Sequence, residues 1–131
     1  MGTKIYESDY ALLTNFSQDK ILLLEWKKNS PADEYRKVFS KCMSFASETK
    51  VHFFVSDLRS EGAIGIDNLK WLKKIVIPRA IELNIQLIAL VINETLFTRI
   101  YADSIYKALE KSRIKVNFFF NQEEAISWVK S

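Results

Sequence analysis

Cysteine and histidine are almost missing from this chain: Cys42 and His52 stand alone among 131 residues. A single thiol cannot close an internal disulfide or build a cysteine metal cluster, and it suits a reducing compartment. A single imidazole excludes a histidine-rich metal site and the histidine-based catalytic triads. No metal and no cofactor is expected. With three glycines and two prolines in all, the chain has little material for a long disordered segment.

Charge of one sign is also missing. Nineteen Lys and Arg are interleaved with sixteen Asp and Glu, for a net charge of +3. A nucleic-acid binder carries a denser basic stripe, so no nucleic-acid partner is expected. The longest apolar run, LIALVI at 87–92, is far too short to span a bilayer. The opening MGTKIYESDY lacks the apolar core of a signal peptide. These features point to a cytoplasmic protein without a transmembrane segment.

What is present is apolar and aromatic: 48% hydrophobic residues, with nine Phe, five Tyr and three Trp. The length fits one domain spanning 1–131, and a chain of this size buries roughly 65–70% of its unfolded surface. Residues 4–15 and 20–28 read as two strands joined by the polar turn SQDK. Ile21, Leu22, Leu23 and Leu24 in a row suggest a strand covered on both faces. A helix over 30–50 follows, with Ser30 as N-cap, Pro31 at the first helical position, and Asp33 and Glu34 at the positive end of the dipole. Tyr35, Val38, Phe39, Cys42, Met43, Phe45 and Ala46 keep helical spacing on it. Cys42 reads as a small buried hydrophobe rather than a reactive thiol.

A strand over 51–57 leads into the loop SEGAIG. Asp67 then reads as the N-cap of a helix running to about 83, with Leu69, Leu72, Ile75 and Val76 inward. Pro78 predicts a kink or break near 77. A strand over 85–93 comes next, then a helix over 95–112 with Leu96, Ile100, Ile105 and Leu109 among its apolar positions. The last strand is 115–121. A short helix over 122–130 turns Ala125, Ile126 and Val129 inward. The expected fold is α/β, a mixed, mostly parallel sheet with an N-terminal β-hairpin and about four helices.

In open α/β sheets, ligands bind beyond the carboxyl ends of the strands. Those ends deliver a candidate binding rim: Ser30, Asp57, Arg59, Asn93, Glu94 and Asn121. Capping and a local Asp57–Arg59 ion pair are the plainer roles for these residues. Gly62 and Gly65 lack dinucleotide-binding spacing, and there is no phosphate loop or nucleophile elbow. An enzyme would have to work with Asp57 and Glu94, which nothing identifies as a pair. The residues favour a non-enzymatic domain. The receiver fold of two-component signalling is excluded, because no acidic pair follows the early strands and no lysine follows the last.

The element order and the phrase FFVSDLRSEGAIGIDNLKWL, 53–72, resemble the STAS domain in its SpoIIAA-like form, over nearly the whole chain. LLLEWKK, SDLR, and Trp71 followed by Pro78-Arg79 resemble a little-characterised subgroup of that family. The resemblance implies a regulatory or protein-interaction domain that works through a protein partner or its own dimer. It also implies a fold shared with SEC14-type lipid carriers. Family members carry a phosphorylatable serine in Asp-Ser-x-Gly. The matching segment here is Asp67-Asn68-Leu69-Lys70, so that switch is absent, and Ser60 reads as a solvated loop residue. The candidate partner surface is the helix bearing Asp67, Asn68, Lys70, Trp71, Lys74 and Arg79. The alternative is a carrier of a small apolar ligand or lipid, with the aromatics lining a cavity beside the helix interrupted at Pro78.

Overall fold

The computed structural model describes residues 2–62 and 64–131, and only the backbone of Leu96. Six strands form one sheet in sequence order: β1 (Thr3–Glu7), β2 (Ala11–Phe16), β3 (Ile21–Trp26), β4 (Phe53–Asp57), β5 (Leu87–Val91) and β6 (Lys115–Phe119). The β1–β2 and β2–β3 pairs are antiparallel, and the remaining three are parallel. The mixed, mostly parallel sheet expected from the sequence is therefore present, with one strand more. Residues 4–15 are not one strand. They fold back at Ser8, whose Oγ accepts the amides of Tyr10 and Ala11 at 3.1 and 3.3 Å. This local serine turn ends β1.

The helices are α1 (Ala32–Glu48), α2 (Ile66–Trp71), α3 (Ile77–Glu82), α4 (Leu96–Leu109) and α5 (Gln122–Lys130). A π-helical segment, Leu72–Val76, joins α2 to α3, so four helical rods pack on the sheet. Two of the expected helix starts shift. Pro31, with ψ 156°, is the N-cap of α1 rather than its first helical residue. Proline fixes φ but leaves ψ free to stay extended, which displaces Ser30 from the cap. Gly65 is the N-cap of α2, and Asp67 lies inside its first turn, where its charge still suits the dipole.

Pro78 acts as expected in kind. It has no N–H for the turn before it. The chain accommodates this with a wider turn, in which the Ile77 amide bonds to Leu72 O, five residues back. That extra residue rotates the face: Leu72 and Ile77 are buried, whereas Ile75 is exposed. Of the apolar positions expected on α4, Ile105 and Leu109 face inward beside Tyr101 and Ala102, whereas Ile100 is exposed.

The strands β3 to β6 are laid down in one direction. Right-handed crossovers then place every intervening helix on the same face. The larger core lies there: Leu22 and Leu24 of β3 and Ile88 and Leu90 of β5 pack with α1, the α2–α3 rod and α4. The opposite face carries the alternate residues, Ile21, Leu23, Val55, Ala89 and Val91, under Ala125 and Val129 of α5. The four-residue apolar run of β3 thus feeds two cores by alternation. Among the described residues, no helix is long and apolar enough to cross a membrane.

Leu24 is fully buried beneath the helix layer. Leu24→Ala should lower stability by about 2–5 kcal/mol, read as a shift of the urea unfolding midpoint at unchanged slope. A loss below about 0.5 kcal/mol would mean the layer is not tightly packed there.

Candidate functional site

The strand-end rim is assembled, but as a structural network on the α5 side. Asp57 ends β4 pointing toward α5. Arg59 Nη2 donates to its Oδ2 at 2.7 Å, and Arg59 Nε and the Arg59 amide donate to Oδ1 at 3.0 and 3.1 Å. Gln122, at the start of α5, bridges Asp57 Oδ2 and Glu25 Oε1, donating to each at 2.8 Å. Glu25 and Asp57 are register partners on β3 and β4. Burial alone would raise the Asp57 pKa. The hydrogen bonds from Arg59 and Gln122 outweigh it and hold the carboxyl below its ordinary value.

Asn93 Nδ2 donates to Arg59 O at 2.8 Å, while its Oδ1 accepts from the Thr95 amide and the Thr98 hydroxyl. Asn121 accepts from the Glu124 amide and caps α5. Asp57, Arg59 and Asn93 therefore converge, and Asn121 joins them through its neighbour Gln122. Ser30 is half-buried and Glu94 is exposed. The sheet order also removes the reason for a rim cleft. A ligand crevice in an open sheet forms where strand order reverses, and this sheet does not reverse.

The surface around Trp71 is divided. Asp67, Lys70 and Lys74 are exposed and Arg79 is half-buried. Asn68 is buried: it accepts from Arg36 Nε at 2.7 Å and donates to Ala32 O at 3.1 Å, tying α2 to the start of α1. Trp71 meets Tyr35 edge-on at 6.4 Å between centroids, with the Arg36 guanidinium over its ring at 5.4 Å. Both side chains serve the seam between α1 and α2 rather than an open face.

The groups with unusual chemistry lie on the other face, inside the helix layer. Trp26 stacks on Tyr35 at 5.5 Å, and Tyr35 tilts against Phe39 at 5.0 Å. The hydroxyls of Tyr35 and Tyr101 are 2.7 Å apart. Both phenols are pushed well above their ordinary pKa, first by burial and further by the nearby Glu61 charge. Glu61 itself is 2% exposed, and its Oε2 has no hydrogen-bond partner among the described residues. Burial pushes its carboxyl up to about 8, so it is mainly neutral at pH 7. It is delivered by a tight turn in which the Glu61 amide bonds Leu58 O. Gly62 follows at φ +75°, where a Cβ would also meet Asn29 Nδ2 at 3.0 Å, so only glycine fits this exit.

Beneath this aromatic cluster lies a cavity between the sheet and the helix layer. It has room for about 80 Å³ of water-centre positions. Its floor includes Leu22, Phe54 and Leu90, and its walls include Cys42, Leu72 and Tyr101. The π-helical segment and its exit contribute Leu72, Val76 and Ile77, so the widened turn forms part of the wall. Burial pushes the Cys42 thiol up to about 12, which keeps it protonated and unreactive. Ser56 also lines the cavity; it is buried, and its Oγ has no hydrogen-bond partner among the described residues. An unpaired buried hydroxyl costs about 1–3 kcal/mol.

Neither Glu61 nor Ser56 stands out in the sequence reading. A glutamate in a loop reads as solvated. Ser56 carried the better signal, a hydroxyl inside a strand whose neighbours on the same face are apolar. No protein-family model matches the chain, and neither does any curated protein or any solved structure. The likeness to the STAS family rests on the element order and the quoted segments alone.

Neutral Glu61 stabilises the fold fully below about pH 4.5, its unfolded value, and that contribution is lost as pH rises through its folded value of about 8. The wild-type urea midpoint should therefore fall between about pH 5 and about pH 8.5, and Glu61→Gln should flatten most of the fall. An equal fall in both proteins would show that Glu61 ionises freely in the folded state.

Proposed function

We propose that this chain is a non-enzymatic binding domain that holds a small apolar molecule between its sheet and its helix layer. The observation that carries this reading is the cavity itself, lined by uncharged side chains from β3, β4, β5, α1, the α2–α3 rod and α4. Ligand sites are concave and mainly apolar, with few polar groups, and form between packed elements. The π-helical turn supports the same reading, because such turns recur at functional sites. Asp57 supports a structural role instead, because both its carboxylate oxygens already accept hydrogen bonds from Arg59 and Gln122.

Ala46 of α1 and Ala80 of α3 line the cavity and are half-buried. The double substitution Ala46→Leu and Ala80→Leu should fill it. Toluene should raise the thermal midpoint of the wild type, and that rise should vanish in the filled variant, whose own midpoint should stay level or increase. A wild type indifferent to toluene would overturn the reading.

A second reading, the STAS-like interaction domain, is supported by a different surface. Phe97, Ile100 and Phe120 are each more than half exposed, at 60%, 55% and 56%, along α4 and just beyond β6. β6 is an edge strand, and an open edge beside aromatic side chains favours pairing with a second copy. Light scattering should then report a dimer that Phe120→Asp converts to monomer. A wild-type monomer at all concentrations would remove this reading.

A further inference from the structure

We infer that the molecule held in the cavity is a single ring or short chain bearing one neutral hydrogen-bonding group, and that Ser56 Oγ meets that group. The inference rests on the apolar-ligand reading above and narrows it to a chemical class.

Size sets the first limit. A cavity of about 80 Å³ is within a factor of about two of an engineered apolar cavity of about 150 Å³ that takes benzene, so its scale is that of a single ring or a short chain. A whole two-chain lipid is far too large to be enclosed in it.

Polarity sets the second. Among the described residues, no charged side chain lines the cavity. A carboxylate head would lose its hydration with no cation to replace it. The neighbouring Glu61, on the Tyr35–Tyr101 side, adds no cation. Two lining residues carry a hydroxyl, Tyr101 and Ser56. The Tyr101 hydroxyl is already engaged with Tyr35. The Ser56 hydroxyl is not engaged, is 2% exposed, and stands on the cavity side of β4. It offers one donor and two acceptor positions. A ligand with a single hydroxyl or carbonyl satisfies both itself and Ser56, whereas a hydrocarbon leaves Ser56 as it was.

Six titrations test this: toluene, p-cresol and p-toluate, each against wild type and Ser56→Ala. Loss of one unpaired oxygen should leave the unliganded fold intact, so the thermal midpoint without ligand should not fall. Toluene should bind both proteins with equal affinity. p-Cresol should bind Ser56→Ala about 3- to 10-fold more weakly than wild type, as expected for one neutral hydrogen bond. p-Toluate, the same ring with an anionic head, should bind neither. If toluene and p-cresol both bind and Ser56→Ala weakens neither, or weakens both alike, the Ser56 contact is overturned while the cavity reading stands. If neither compound binds the wild type, both fall. Tight binding of p-toluate would overturn the neutral-group requirement.

Discussion

The constraint on which this molecule depends is the handedness of its crossovers. Strands β3 to β6 are added in one direction, and each is joined to the next by a helix. A right-handed connection then has one face available to it. Three helical rods must share that face, and one short helix, α5, serves the other. The crowded face is deep enough to hold a stacked aromatic cluster and a cavity. The sparse face needs polar ties at its edge, which Gln122 supplies by bridging Glu25 and Asp57. The same constraint removes the strand-order reversal at which open α/β sheets form their clefts. The strand-end residues are tied to one another, and the cavity lies between the layers instead.

Inside that space two polar groups meet low dielectric in different ways. Glu61 can stay neutral by keeping its proton, and burial without a cation favours that state. Its presence also discourages ionisation of Tyr35 and Tyr101, whose hydroxyl pair stays a neutral hydrogen bond. Ser56 has no charge to give up. Its unmet hydrogen-bonding capacity persists at every pH at which the protein is folded. An ionisable group makes stability depend on pH, and a hydroxyl makes the cavity depend on what enters it.

Much of this architecture was legible in the sequence, for stated physical reasons. The run Ile21–Leu24 implied a strand buried on both sides, because alternation sends neighbouring residues to opposite faces. Pro78 implied an interruption, because it lacks the amide its helix needs. Asp57 and Arg59 were placed on a binding rim, with a local ion pair as a plainer role for them, and the ion pair forms. What was missed depended on turns that change the count by one residue. The Ser8 turn split one expected strand into β1 and β2, and the π-helical turn exchanged Ile75 for Ile77. Ile100 was misjudged because an apolar residue at a plausible helical position need not face inward. Asn68 and Trp71, taken for surface, are held by Arg36 and Tyr35 from another helix. Glu61 was invisible, because nothing local distinguishes a buried loop carboxylate from a solvated one.

The segment VHFFVSDLRSEGAIG concentrates these points. At its centre Ser56 and Asp57 are adjacent, and the period of a strand sends them to opposite faces. Asp57 meets a guanidinium and an amide and is fully engaged. Ser56 meets apolar side chains and is not engaged. The more conspicuous residue is therefore the structural one: its charge is compensated within the protein, which leaves it little to offer a ligand. The inconspicuous neighbour keeps its hydrogen-bonding capacity, because no group among the described residues uses it. Under the apolar-ligand proposal, what a ligand would use is unspent hydrogen-bonding capacity between the layers, not charge at a strand end.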